Sequence, residues 1–321
     1  MTARLETLAR RRAARTAEAA PPRRGVVDHL VLLKPRVMSL VCFTGGVGFA
    51  LAPVQFDWLR FLATMSAMAA GAGACGALNM WWDADIDANM SRTAMRPIPR
   101  GAVPPREALA IGMLLAVVSI GALALKVNGL AAALLALTIA IYIPLYTMVL
   151  KRLTPLNIVI GGAAGALPPV IGWAGAAGSL SLGPLALFSL IFLWTPPHFW
   201  ALALCRAGDY DRVGVPMLPN VAGHQATCRQ IVAYSLLLVP ASLAPLAIPG
   251  VGLFYATIAV ACDVMLLWLA LALYRLRDAE ESPRRKAAMA MFGSSILYMF
   301  VLFAALLAQI AVNAILGRPG A

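Results

Sequence analysis

The stretch Gly76-Ala-Leu-Asn-Met-Trp-Trp-Asp-Ala-Asp-Ile-Asp87 closes a long apolar run with a group of oxygen-bearing side chains. Asn79, Asp83 and Asp87 are spaced four residues apart, and on a helix the positions i, i+4 and i+8 share one face. Asp85 is turned about 200° away from that face, at about 100° per residue. The spacing therefore predicts that one amide and two carboxylates point together from the surface end of a helix.

The composition indicates that this helix crosses a membrane. Of the 321 residues, 61% are hydrophobic and 12% are charged, and the mean hydropathy is +0.81. Soluble domains have about 45–50% apolar and about 25% charged residues. Several apolar runs exceed the ~20 residues that a helix needs to cross the hydrocarbon core, and the alternation typical of barrel strands is missing. The predicted fold class is an all-α, polytopic membrane bundle.

We predict nine transmembrane helices in a single domain at residues 26–316, preceded by a basic, disordered tail at residues 1–25. The tail is rich in Arg and Ala, and a mitochondrial transit peptide is the alternative interpretation. The predicted spans are 37–53, 59–81, 108–125, 129–150, 156–175, 183–205, 229–248, 251–274 and 289–316. The pairs Pro168-Pro169 and Pro196-Pro197 are expected to kink the helices that contain them.

The basic residues give the orientation of the bundle. With nine spans, 23 of the 26 basic residues lie on the side of the N-terminus, and only Arg60, Lys126 and Arg318 lie on the other. Basic loops stay on the cytoplasmic side, so the N-terminus is predicted in the cytoplasm, or in the matrix of a mitochondrion, with the C-terminus opposite. This asymmetry also accounts for the net charge of +12, so binding to nucleic acid is not expected.

Fixed positive charges follow the Asn79–Asp87 stretch. Guanidinium and ammonium groups bind phosphates, and carboxylates are ligands for Mg2+. Together they predict a site for Mg2+ and a diphosphate, with Asp83 and Asp87 as metal ligands and Asn79 offering its oxygen to the metal or its NH2 group to the anion. The alternative is that the basic residues only set topology and bind lipid headgroups. The predicted diphosphate clamp comprises Arg92, Arg96, Arg100, Lys151 and Arg152.

A second acidic patch follows the sixth span and contains Asp209 and Asp211. Both patches are predicted on the same membrane face, so they could converge and hold two metal ions. His198 precedes Asp209 by eleven residues, which on a straight helix places it about 16 Å deeper in the membrane. An ionisable residue within a span is a functional candidate, here a haem ligand, a base or a hydrogen-bonding residue between helices.

The pattern Asn79-x3-Asp83-x3-Asp87 resembles the first signature of the intramembrane prenyltransferase superfamily. Other stretches resemble its protohaem IX farnesyltransferase branch, and the resemblance extends over about residues 30–310. At the second signature of the superfamily, Arg206 stands where an acid is expected. The stretches that carry the resemblance to that branch are Asp87-x4-Arg92-Thr-x2-Arg96-Pro-Ile-Pro-Arg-Gly101, Tyr146-Thr-Met-Val-Leu-Lys151-Arg152, residues 157–173, and residues 195–204 with 209–219.

The resemblance implies transfer of a farnesyl group from farnesyl diphosphate to a vinyl group of haem B, assisted by Mg2+. It implies His198 as a haem contact and Asp209 and Asp211 as ligands of a second metal. A haem A synthase or an oxidase assembly factor would be a partner in such a pathway, and membrane lipid would surround the enzyme. The expected location is a bacterial inner membrane, with the mitochondrial inner membrane as the alternative.

Two other functions remain open at this stage. A quinone-pathway prenyltransferase would use the same metal site on an aromatic acid, but it would give the Pro-Pro-His198-Phe-Trp stretch no purpose. An anion transporter built on broken helices would be expected to show inverted repeats, and the sequence shows no clear ones.

Overall fold

The computed structural model of the protein describes residues 25–315, and within them every regular element is a helix. Most of these helices are connected by short loops. Besides two short helical turns (Lys151–Leu153 and Ala244–Ala247), the elements are α1 (Val26–Leu32), α2 (Pro35–Ala50), α3 (Trp58–Trp82), α4 (Ala84–Asn89), α5 (Pro105–Lys126), α6 (Gly129–Ala140), a π-helix (Ile141–Leu150), α7 (Asn157–Ala166), α8 (Pro168–Ala177), α9 (Leu182–Arg212), α10 (Leu218–Leu243), α11 (Leu253–Arg275) and α12 (Glu281–Ile315).

Eight helices in this part of the chain are long and apolar enough to cross a membrane. A ninth span is obtained if α1 and α2, which are bent by 50° relative to each other, are counted together. The predicted all-α membrane bundle is therefore confirmed. Two helices begin earlier than predicted, α10 at Leu218 and α12 at Glu281, because hydropathy ends a span at polar residues whereas the helix continues through them. The predicted tail at residues 1–25 lies outside the described residues, apart from Gly25.

Polar side chains and prolines fix several helix ends. The Oδ1 atom of Asp57 accepts hydrogen bonds from the backbone N–H groups of Leu59 and Arg60 and so caps α3. Asn128 caps α6 in the same way and also donates from Nδ2 to the carbonyl of Ala174, which ties this end of α6 to α8. These contacts determine where the long helices start and hold neighbouring helices in register.

Glycines allow α2 and α8 to touch through their backbones. A Cβ atom added at Gly48 would lie 2.1 Å from the carbonyl oxygen of Pro169, and one added at Gly172 would lie 1.9 Å from that of Gly45. Small residues permit this close packing in a bilayer, where burial of apolar surface does not drive helices together. The contact joins the first long helix to the middle of the chain.

Gly172→Ala is expected to destabilise the protein, because the new methyl group would collide with the backbone of α2 rather than with a flexible side chain. Overpacking of this kind costs about 1–3 kcal/mol. Thermal unfolding in detergent would measure the loss. Gly121→Ala is the matched control, since no atom lies within 4 Å of a Cβ at that position, and equal stability of the two variants would contradict the prediction.

The proline pairs behave differently from each other. Pro168 begins α8 directly after α7 has ended at Ala166, so the expected break is present there. The helix α9 runs through Pro196 and Pro197, and its one residue with non-helical torsion angles is Arg206 (φ −128°, ψ 15°). The helix therefore continues past Pro196-Pro197, where a kink was predicted, and its break comes nine residues later, where the acidic patch begins.

Candidate active site

The Asn79–Asp87 stretch bends where α3 meets α4. Helix α3 ends at Trp82, and Asp83 joins it to α4 with φ −86° and ψ 9°. The i to i+4 pattern nevertheless continues, since the N–H of Asp83 donates to the carbonyl of Asn79 and the N–H of Asp87 donates to that of Asp83. The predicted shared face is therefore retained. All three side chains are buried, with exposures of 5%, 0% and 2%, so this is an interior site rather than the surface end of a helix.

Two of the predicted cations contact these carboxylates directly. The Nζ atom of Lys151 lies 2.5 Å from Oδ2 of Asp83, and a guanidinium nitrogen of Arg96 lies 2.6 Å from Oδ2 of Asp87. Buried ion pairs of this type add little net stability, because the desolvation of both charges offsets their attraction. Their retention in the interior is better explained by the binding of a charged ligand.

Lys34 is a third cation at the site, and the sequence interpretation missed it. Its Nζ donates to Oδ1 of Asn79 at 2.6 Å. Lys34 joins α1 to α2 with φ 53°, the left-handed region that is costly for a residue with a side chain. A Cβ at Gly76 would lie 2.7 Å from the carbonyl oxygen of Leu32, so this turn rests on α3, one helical turn before Asn79. The only local signal was a Lys-Pro pair at a helix start.

The π-helix brings Thr147 and Lys151 to the same place. Thr147 accepts a hydrogen bond from Nδ2 of Asn79 at 3.1 Å and donates to the carbonyl of Tyr142, five residues earlier. Since a π-helix closes its hydrogen bonds over five residues, side chains four and five apart come to lie on one face. Thr147 and Lys151 therefore both reach the buried carboxylate cluster. Pro144 lies within this segment and cannot donate a backbone hydrogen bond.

The hydrogen bonds to Asp83 leave one of its two carboxylate oxygens unpaired among the described residues. Nδ2 of Asn79 and Nζ of Lys151 both donate to Oδ2 of Asp83. The other oxygen, Oδ1, is buried and accepts no hydrogen bond within residues 25–315. An unpaired buried acceptor costs about 1–3 kcal/mol, so its presence indicates that a cation or a donor belongs beside it.

Three predicted clamp residues lie apart from this cluster. Arg152 pairs with Asp85 at 2.8 Å on the exposed side, and this hydrogen bond to the guanidinium lowers the pKa of Asp85. Arg100 pairs with Asp28 of α1. Arg92 is exposed in the loop after α4. The structure thus separates Asp85 from Asp83 and Asp87 as predicted, while the diphosphate roles of these arginines remain predictions.

The second acidic patch approaches the first through the loop after α4. Ser91 donates to both carboxylate oxygens of Asp209, at 3.2 and 3.1 Å. Two arginines flank Asp209, Arg206 at 3.9 Å and Arg212 at 3.6 Å. Asp211 is exposed. Because Ser91 follows the first patch by only four residues, the two patches lie on neighbouring segments, and their role as ligands of a second metal remains a prediction.

His198 is enclosed by aromatic rings on α9 and α12. Its ring stacks on Trp194 at 4.4 Å and on Phe292 at 4.6 Å between centroids, and its Nδ1 lies 2.7 Å from Oγ of Ser295. The helix break at Arg206 separates His198 from Asp209. The depth of about 16 Å estimated for a straight helix therefore does not apply.

Comparison with known proteins assigns this architecture to a family. Residues 39–296 match the model of the UbiA prenyltransferase family. The chain is 53% identical over 294 residues to Protoheme IX farnesyltransferase 2 of Mesorhizobium japonicum, covering 92% of this chain and 93% of that protein. It is 55% identical over 284 residues to Protoheme IX farnesyltransferase of Methylobacterium radiotolerans, covering 88% and 89% of the two chains.

Solved structures share the fold at lower identity. A UbiA homologue from Aeropyrum pernix K1 superposes with a TM-score of 0.67 at 22% identity, over 87% of this chain and 98% of that one. A UbiA homologue from Archaeoglobus fulgidus bound to GPP and Mg2+ has a TM-score of 0.59 at 16% identity, over 87% and 99%. The helical fold, the buried carboxylate cluster and the family match agree, and the chain belongs to the UbiA prenyltransferase family.

Proposed function

We propose that this protein transfers the farnesyl group of farnesyl diphosphate to a vinyl group of protohaem IX (haem B), giving haem O. The observation that carries the proposal is the buried cluster of Asn79, Asp83 and Asp87, which three cations surround. Relatives named as protohaem IX farnesyltransferases, which cover about nine tenths of the chain at 53–55% identity, support the choice of substrates.

The residues at the cluster fit a divalent cation. Mg2+ prefers oxygen ligands and is commonly held by one or two carboxylates together with substrate phosphates. Asp83 has an unpaired buried oxygen, and Asp87 lies one helical turn further along the same face. These two residues would hold Mg2+, which would draw charge from the leaving diphosphate. Asp209 and Asp211 are proposed for a second ion.

The cations of the cluster would bind the diphosphate and stabilise its departure. Lys34, Arg96 and Lys151 come from three different segments and converge on one face of α3 and α4. Charges that are already in position stabilise a developing anion without reorganisation, and this is often the largest contribution to catalysis. Both polar groups of the Asn79 side chain are hydrogen-bonded within the cluster, since its oxygen accepts from Lys34 and its NH2 group donates to Asp83. Asn79 would thus hold the cluster together.

The remaining chemistry needs an apolar cavity. When the bond between the farnesyl carbon and the diphosphate oxygen breaks, the allylic cation bonds to the terminal carbon of the haem vinyl group. The carbon next to the ring then carries the charge and takes a hydroxyl group from water, which releases a proton. Exclusion of water during the first step prevents loss of the cation as farnesol. We propose that His198 on α9 contacts the haem.

The proposed location is a bacterial inner membrane, and it rests on the distribution of basic residues and on the relatives. The single domain proposed for residues 26–316 would lie in a bacterial inner membrane with its N-terminus in the cytoplasm, where farnesyl diphosphate is available. The distribution of basic residues supports this orientation. The relatives named above are bacterial proteins, which favours this location over a mitochondrion. A haem A synthase or an oxidase assembly factor remains a prediction as partner.

Incubation of the purified protein with haem B, farnesyl diphosphate and Mg2+ tests the function. We expect a haem product heavier by one farnesyl group plus water, detected by mass spectrometry, and we expect EDTA to abolish its formation. Omission of farnesyl diphosphate is the control. Release of diphosphate without a haem adduct, combined with no binding of haem, would favour the quinone-pathway activity instead.

A further inference from the structure

The environment of His198 determines which of its ring nitrogens is available. The imidazole stacks on two aromatic rings, those of Trp194 and Phe292. Trp194 donates from Nε1 to the carbonyl of Ser295, so the residue that meets Nδ1 is itself tied to α9. His198 is 7% exposed, and no hydrogen bond to its Nε2 is recorded within the described residues.

The hydrogen bonds of Ser295 identify the proton on the imidazole. The hydroxyl of Ser295 has one hydrogen, and it donates to the carbonyl of Phe292 at 2.7 Å. A carbonyl oxygen cannot donate, so this bond uses the only hydroxyl hydrogen. The second contact of the same oxygen, 2.7 Å from Nδ1 of His198, then fits a bond that Nδ1–H donates. These heavy-atom distances favour the Nδ1–H tautomer, which leaves a lone pair on Nε2.

We propose that Nε2 of His198 is an axial ligand of the haem iron during the reaction, and that Ser295 is the positioning residue that keeps this nitrogen unprotonated. The inference rests on the proposed function, because it names the residue that would orient the haem substrate. A histidine that ligates a metal through one nitrogen characteristically donates its other N–H to a neighbouring acceptor. Here that acceptor is the hydroxyl oxygen of Ser295.

The aromatic stack supports the same assignment. Rotation of the imidazole out of its plane, about the Cβ–Cγ bond, would break two stacking contacts as well as the hydrogen bond to Ser295. The ring is thus fixed in orientation as well as in tautomer. A fixed ligand would hold the porphyrin at one angle and so present a defined vinyl group to the farnesyl cation. Phe199, whose ring lies edge-on to His198 at 5.0 Å, contributes to this packing.

The tautomer can be measured without haem or turnover. The chain contains three histidines, so solid-state NMR of protein labelled with 15N-histidine gives few signals, and the spectrum of His198→Gln identifies those of His198. We expect a protonated Nδ1 and an unprotonated Nε2. Signals of an Nε2–H tautomer or of an imidazolium would overturn the assignment.

Haem binding tests the ligation. We expect ferric haem in the wild-type protein to show the absorption and EPR spectra of a nitrogen-ligated iron, and His198→Gln to lose them. Added imidazole should restore them in His198→Gly. Ser295→Ala should weaken haem affinity by about tenfold, the typical loss when the partner of a metal-bound histidine is removed, and Ser295→Thr, which keeps the hydroxyl, should recover it. His224→Gln is the matched control and should bind haem normally.

The outcomes separate the two proposals. If haem is farnesylated and His198→Gln keeps the wild-type haem spectrum, the ligand assignment is wrong while the function stands. If the wild-type protein ligates haem through His198 but forms no farnesyl adduct, the function is wrong while the ligand assignment stands. Thermal unfolding of each variant in detergent excludes misfolding as the cause of a lost spectrum.

Discussion

Replacement of Asp83 by Asn should lower the rate of haem farnesylation by about a thousandfold or more, since the variant loses a proposed ligand of Mg2+. Asp83 is fully buried, and its carboxylate is the partner of Lys151 at 2.5 Å. The change would therefore also leave a largely buried ammonium without a counter-charge, which costs about 3 kcal/mol. At the surface end of a helix, where the sequence alone placed Asp83, the same change would leave folding unaffected.

Two further variants separate catalysis from stability. Asp83→Asn combined with Lys151→Met removes both charges, and we expect it to recover most of the lost stability while remaining inactive. Asp85→Asn is the matched control, since the side chain of Asp85 is 62% exposed and pairs with Arg152 outside the cluster. Rates of adduct formation and unfolding temperatures in detergent provide the readout. An active Asp83→Asn protein would disprove the role of this carboxylate.

Lys151 and Arg152 provide a second test with a large expected difference between neighbouring residues. Lys151→Met should reduce kcat/KM for farnesyl diphosphate by about a hundredfold, because the ammonium is proposed to stabilise the departing diphosphate. Arg152→Met should change it by less than about threefold, since exposed ion pairs contribute little. The reason is the direction of each side chain, as Lys151 contacts buried Asp83 and Arg152 contacts exposed Asp85.

Steady-state kinetics with varied farnesyl diphosphate would show the contrast, and haem affinity should be unchanged in both variants. Lys151→Arg keeps the charge but places a larger, planar group in a buried position, so partial activity is expected from it. An equal loss of activity in Lys151→Met and Arg152→Met would show that the two residues form one clamp, as the sequence interpretation had assumed.

The sequence predicted the features that depend on local periodicity. The nine apolar runs are read directly from the hydropathy of the chain. The face shared by Asn79, Asp83 and Asp87, and the opposite direction of Asp85, follow from residue spacing along one helix. The fold class follows from these patterns, whereas the family was indicated by the resemblance of the motifs to known ones. The burial of Asp83 could not be inferred in this way, because it depends on neighbouring elements that pack over the end of α3.

The features that the sequence did not predict all depend on contacts between distant segments. Lys34 contacts Asn79, which lies 45 residues later in the chain. The turn that contains Lys34, with its left-handed backbone, packs closely against Gly76 of α3. The π-helix has no simple sequence pattern, and Thr147 within it and Lys151 directly after it both contact the site. The break at Arg206 is not marked by a proline in the sequence, whereas Pro196 and Pro197 lie within the helix.

The backbone contact between α2 and α8 has a consequence for the order in which the protein can be assembled during synthesis. Helix α2 has 16 residues, fewer than a typical span, and its close packing partner includes Gly172, more than a hundred residues later in the chain. At about 5–20 residues per second, roughly 6–25 s pass between the translation of Gly48 and that of Gly172. Helix α2 must therefore wait at the translocon or in the lipid for its partner, whereas Lys34, at its start, can reach Asn79 as soon as α3 is in place.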